Sequence, residues 1–140
     1  MVRVSVQRLH PTARLPERQS AGAAGYDLYA VEDQVIPARG RALARTGIAI
    51  ALPAGYEGQV RPRSGLALKF GVRAHFGTID SDYRGELQVL LHNDAAEDYR
   101  VTAGDRIAQL VVAPVVHAEF HEEEIGQTER GGGGFGHTGN

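Results

Sequence analysis

With 15 basic and 17 acidic residues among 140, the chain carries a formal charge of −2, which excludes the basic footprint of a nucleic-acid binder. The absence of Cys removes disulfides and thiolate metal sites. The length fits one domain with a single core, and no apolar run reaches membrane-spanning length, so a soluble, cytoplasmic protein with no membrane partner is expected.

Residues 2–9 alternate as a first strand that His10-Pro11 ends. Residues 12–25 read as a polar loop with Pro16 and a small-residue run over 20–25. Tyr26-Asp27-Leu28-Tyr29-Ala30 alternates again and is expected to continue to Val35-Ile36, before Pro37 and Gly40 turn the chain. Residues 42–52 form a further strand, Pro53-Ala54-Gly55-Tyr56 a turn, and 59–63 a short strand broken by Pro62. The stretch 64–69 fits one turn of helix capped by Ser64. Residues 71–76 look like half of a hairpin, 87–91 like a buried strand, and 106–116 like a long apolar strand holding Gln109. Short strands punctuated by Gly and Pro predict an all-β domain over residues 1–125, a distorted jelly roll or barrel. The tail, 126–140, differs: Gly131-Gly132-Gly133-Gly134 holds no fixed backbone by itself, which predicts a mobile arm with one apolar anchor, Phe135.

The centre of interest is the run from Gly77 to Glu86, Gly-Thr-Ile-Asp-Ser-Asp-Tyr-Arg-Gly-Glu. Asp80 follows an apolar Ile and so points away from the face that Ile79 buries. A carboxylate at the mouth of a strand, three residues before Tyr83, suits a base that activates water beside a ring that holds a substrate. Taken alone, the stretch fits a charged turn with a surface Tyr better than a catalytic site. Arg63-Ser64-Gly65 offers a guanidinium fork, a hydroxyl and backbone donors, as a phosphate chain requires. Gly136-His137-Thr138-Gly139, with Arg130 nearby, offers the same mixture, and Asp27 could face a hydrated cation.

Three motif matches fail. Gly131, Gly133 and Gly136 match a dinucleotide fingerprint, and 131–138 match the spacing of a phosphate loop, but both need a helix afterwards and only two residues come after Thr138. His117 and His121 stand four apart on what reads as continuing strand, without the Glu that a zinc protease places after the first His.

Five stretches in order resemble the motifs of the trimeric deoxyuridine triphosphatase (dUTPase) family. They are 24–30, 62–67, 77–86, 104–110 and 130–139, so the resemblance spans nearly the whole chain. It implies a jelly-roll subunit in a homotrimer, with three sites at subunit boundaries and the tail of one subunit closing over a site formed by the other two. The implied reaction takes dUTP and water to dUMP and pyrophosphate with Mg²⁺, keeping uracil out of DNA and supplying dUMP for thymidylate synthesis. By position, Asp80 would be the base for the water attacking the α-phosphorus, and Tyr83 would pack on the deoxyribose and exclude a 2′-hydroxyl. Arg63, Ser64 and Gly65 would hold phosphates, and Asp27 and Gln109 would act through waters around the metal or the α-phosphate. Phe135 would stack on uracil, while Arg130, Gly136, His137 and Thr138 would reach the β- and γ-phosphates. Hydrolysis at phosphorus needs positioning and charge neutralisation more than covalent chemistry.

Two departures accompany the resemblance. Many members carry an Asn in the hairpin before the central motif, and residues 71–77 contain none, so base reading would rest on main-chain groups there, Gly77 among them. His137 stands where many members have Ser, and it keeps a hydrogen-bonding side chain. Two other readings compete. A dCTP deaminase of similar fold would need a catalytic Glu five residues after Gly85, where Leu90 stands. A degenerate binding module would first lose Asp80, Tyr83 or the arm, and all are present.

Overall fold

The computed structural model describes residues 1–139. Among these the elements run β1 (Ser5–Arg8), β2 (Tyr26–Tyr29), β3 (Gln34–Ile36), β4 (Arg41–Ala51), β5 (Tyr56–Arg61), α1 (Ser64–Phe70), β6 (Val72–Ala74), β7 (Gly77–Ile79), β8 (Glu86–Asn93), β9 (Tyr99–Val101) and β10 (Arg106–Pro114). They form two antiparallel four-stranded sheets, β1-β4-β8-β6 and β2-β10-β5-β7, and a two-stranded ribbon, β3-β9. Leu87, Val89 and Leu91 from the first sheet share one core with Leu28, Val60, Ile107 and Leu110 from the second. The all-β jelly-roll expectation therefore holds. Alternation explains it: along β8 every second side chain, from Leu87 to Asn93, is buried, as a strand with one wet face requires. Truncating a core side chain such as Leu91 to Ala would cost roughly 2–5 kcal/mol.

Asn93 is one of three buried polar residues among those described, with Asp27 and Thr46. Its amide donates to Ile36 O at 3.1 Å and Glu97 O at 2.8 Å, and its oxygen accepts from Ala95 N at 3.0 Å. A buried amide so satisfied fixes the turn after β8 instead of weakening it.

Several local expectations are corrected. The run 26–36 is not one strand but two in different sheets, because Ala30 N and Val31 N bond to Asp105 O and Arg45 O and carry the chain across. Tyr56 belongs to β5, not to the preceding turn, since it pairs with Pro114 of β10. Ser64 does not cap α1: it is the first helical residue, Arg63 occupies the cap position, and no side chain bonds there. The helix ends at Gly71, whose φ of 68° lets its N–H return to Ala67 O. Residues 71–76 do not form a hairpin with the next strand, because β6 pairs with β8 while β7 pairs with β5. The first strand is confined to Ser5–Arg8, and β9 lies where no strand was expected, beside β3.

The last strand ends at Pro114, two residues before the expected end, and Val115 N is still tied to Gly55 O at 2.8 Å. Beyond it the chain is irregular, with Val116, Phe120 and Ile125 all at least 91% exposed. His117 and His121 fall here, outside any strand. Asn140, the last residue of the expected arm, lies outside the described residues. No helix among the described residues is long and apolar enough to cross a membrane.

Candidate active site

Three of the five motif stretches meet at one end of the second sheet. Gln109 of β10 lies directly between Asp27 of β2 and Arg61 of β5, a cross-strand row produced by the two registers. Asp27 is buried, and its Oδ1 lies 3.3 Å from Arg63 Nε. Its Oδ2 lies 3.7 Å from Arg106 Nη1 and has no hydrogen-bond partner among the described residues. Arg63 Nη1 also donates to Arg106 O at 3.3 Å, and Gln109 Nε2 donates to Pro62 O at 3.0 Å. Gly25 is needed for this closeness, since a Cβ there would run into the Gln109 side-chain amide. A carboxylate buried this deeply requires paired charge, and the two guanidinium groups supply it. Arg106 was the residue sequence reasoning passed over. Its signal was a lone cation opening an otherwise apolar strand.

The central stretch lies elsewhere on the same chain. Gly77, Thr78 and Ile79 pair with Val60, Gln59 and Gly58, so Asp80 continues toward the Glu57 end of β5 while Arg63 lies beyond its other end. At a rise of about 3.3 Å per residue, this separates Asp80 from Arg63 by roughly 15–20 Å within one chain. Asp80 and Tyr83 are both exposed and joined by a turn, Tyr83 N donating to Asp80 O at 3.1 Å. The Tyr83 hydroxyl donates to Glu86 O at 2.9 Å, and its ring covers Gly85 so closely that a Cβ there would collide with it. Arg84 Nη1 closes the turn by donating to Ser81 O at 2.6 Å and Tyr83 O at 3.0 Å.

The arm forms its own turns. Arg130 Nε donates to Gly133 O at 2.7 Å, His137 N to Gly134 O at 3.0 Å, and Gly139 N to Gly136 O at 2.9 Å. The His137 ring lies against Gly133, and Thr138 is exposed. Phe135, with a φ of 51°, is fully exposed. Among the described residues no three His, Cys, Asp or Glu side chains converge as a metal site.

The dUTPase family profile matches residues 12–139. A deoxyuridine 5'-triphosphate nucleotidohydrolase of Wolinella succinogenes is 55% identical, over 99% of this chain and 95% of that protein. One from Candida albicans is 51% identical over 92% and 83%. Among solved structures, the dUTPase of Staphylococcus bacteriophage 80alpha with dUPNHPP gives a TM-score of 0.93 at 30% identity, covering 99% of both chains. A dUTPase mutant from phage phi11 of S. aureus, described with a structural Mg(II) ion, gives 0.83 at 28% identity over 88% of this chain and 97% of that one.

The chain belongs to the dUTPase family. It is an enzyme that hydrolyses dUTP to dUMP and pyrophosphate.

Proposed function

We propose that the chain performs this reaction as a homotrimer, in sites that take Asp80 and Tyr83 from one chain, Asp27, Arg63, Ser64, Gly65 and Gln109 from a second, and the arm from a third. The observation that carries the reading is the separation of Asp80 from Arg63 along β5 and β7, too long for one bound triphosphate to engage both from a single chain. A second support is the tail: alone in water, a chain would leave Val116, Phe120 and Ile125 each exposed. The number three rests on the resemblance to a trimeric family.

In this reading Asp80 accepts a proton from water as its oxygen bonds to the α-phosphorus. The bond from that phosphorus to the bridging oxygen breaks, and pyrophosphate leaves with the pair of electrons. The Tyr83 ring, held over Gly85, packs on the deoxyribose. Arg63, oriented by Asp27, neutralises phosphate charge with the Ser64 hydroxyl and the Gly65 N–H. Gln109 orders water at the α-phosphate, and Gly77 meets the base through its main chain. Phe135 stacks on uracil while Arg130, Gly136, His137 and Thr138 reach the outer phosphates, so the arm excludes water until products form.

Mg²⁺ fits this donor set: the ion would bind mainly the substrate's phosphates, and Asp27 Oδ2, which accepts no hydrogen bond among the described residues, would take one of its waters. Bound there, it would add charge neutralisation at the leaving pyrophosphate. The enzyme acts on nucleotide pools of the cytoplasm. Pyrophosphate release from dUTP, dCTP and UTP, each with and without EDTA, tests the whole reading. Rapid, EDTA-sensitive release from dUTP alone is expected. Equal release from dCTP or UTP would overturn the assignments of Gly77 and Tyr83.

A further inference from the structure

We propose that Glu86 and Arg45 are positioning residues that hold the ring of Tyr83 and thereby set discrimination against a ribonucleotide. The inference rests on the assignment of Tyr83 to the sugar.

Glu86 opens β8 opposite an irregularity in β4, where Arg45 pairs with Gln88 but Ala49 pairs with Glu86. The extra residues of β4 form a bulge at Gly47, which is buried against Ala13 and Val31 and has a φ of 71°. This bulge turns donors toward one carboxylate. Arg45 Nε lies 3.2 and 3.1 Å from the two Glu86 oxygens, Arg45 Nη2 lies 3.1 Å from Oε1, and Gly47 N donates to Oε2 at 3.1 Å. The Glu86 side chain is only 15% exposed, so water competes little for it. A fork-on-carboxylate contact of this kind fixes orientation as well as contributing energy.

The same residue's main chain receives the ring. Glu86 O accepts the Tyr83 hydroxyl at 2.9 Å, and Gly85, having no side chain, leaves room for the hydroxyl end of the ring, which a Cβ there would strike. The bulge thus fixes Glu86, and Glu86 fixes the ring. Thr46 reinforces the join by donating its hydroxyl to Leu87 O at 2.6 Å. Asp80 is tied to the ring only through the turn, so loosening Glu86 displaces the sugar platform more than the base.

The test compares kcat/KM for dUTP and for UTP in Arg45→Ala, Arg45→Lys, Glu86→Ala, Glu86→Gln and Tyr83→Ala, each with its Tm. Misplacement by about 1 Å far from the chemistry can cost about 100-fold, so a partial slackening should lower the dUTP/UTP ratio by roughly fivefold or more in Glu86→Ala and Arg45→Ala. Arg45→Lys keeps the charge but loses the fork, and should fall between these and the parent enzyme. Should Glu86→Ala fail to fold, the isosteric Glu86→Gln decides. A lowered Tm with an unchanged ratio is the outcome of a purely structural contact and overturns the proposal, provided Tyr83→Ala collapses the ratio. If Tyr83→Ala also leaves the ratio unchanged, the sugar assignment itself is wrong and the proposal goes with it.

Discussion

Arg63 Nε lies 3.3 Å from Asp27 Oδ1, and that contact joins the end of β5 to β2 across β10. Asp27 is the more buried partner, so it sets where the guanidinium points. Asp27→Asn keeps the shape and removes the charge, leaving Arg63 and Arg106 to repel one another. The expected result is a fall in kcat/KM for dUTP of about 10- to 100-fold, with a raised KM, as a misdirected phosphate ligand predicts. Steady-state kinetics check this, and an unchanged KM would remove Asp27 from the orienting role.

The stability of the fold should depend on His92. This ring on β8 faces Arg41 of β4 and Arg73 of β6 across the strands, and its Nε2 lies 3.2 Å from His75 Nδ1, with Asp94 the nearby anion. Burial first, then Arg73, His75 and Arg41, push its pKa below the usual histidine value, and Asp94 opposes them. A depressed pKa means that the unfolded chain binds more protons, so stability is full above about pH 6.5 and is lost as pH falls toward the folded-state value. Thermal melts from pH 8 to pH 5 should show the Tm falling in the acid half, and His92→Asn should reduce that slope. An identical slope in the variant would place the acid sensitivity elsewhere.

Trypsin should report arm closure at Arg130. Ordering the glycine run costs roughly 1–2 kcal/mol per residue fixed. Stacking of Phe135 on a base returns about 1–3 kcal/mol. The balance is close enough to need the phosphates as well. A non-hydrolysable dUTP analogue with Mg²⁺ should protect the bond after Arg130, dUMP should protect it weakly, and Phe135→Ala should cancel most of the protection. Equal cleavage in every condition would make the tail a linker.

The legible parts of this molecule are those that rest on local pattern. Alternation located β4, and apolar runs free of Gly located β8 and β10, because burial writes itself into neighbouring residues of one strand. Alternation missed β9, whose three residues are too few to show a period, and it merged β2 with β3, because the change of sheet depends on bonds to Asp105 and Arg45 far along the chain. The site divides in the same way. Asp27, Arg63 and Gln109 were each found by motif, yet nothing local says that Arg63 rests on Asp27 or that Arg106 joins them. The β4 bulge that holds Glu86 was equally invisible, since its donors come from Arg45 and Gly47.

The central claim, that Asp80 and Arg63 of one site belong to different chains, is tested most directly by mixing two inactive variants. Asp80→Asn should lose on the order of 100- to 10,000-fold in turnover, as removal of a general base does. Arg63→Ala should be crippled separately, by loss of a phosphate ligand. After unfolding and joint refolding of equal amounts, random closed trimers should place an intact Asp80 beside an intact Arg63 in about one quarter of sites. Activity should therefore rise to roughly a quarter of the parent enzyme's, far above either variant alone. A mixture with confirmed subunit exchange that stays as inactive as its components would contradict the shared site and put both residues to work within one chain.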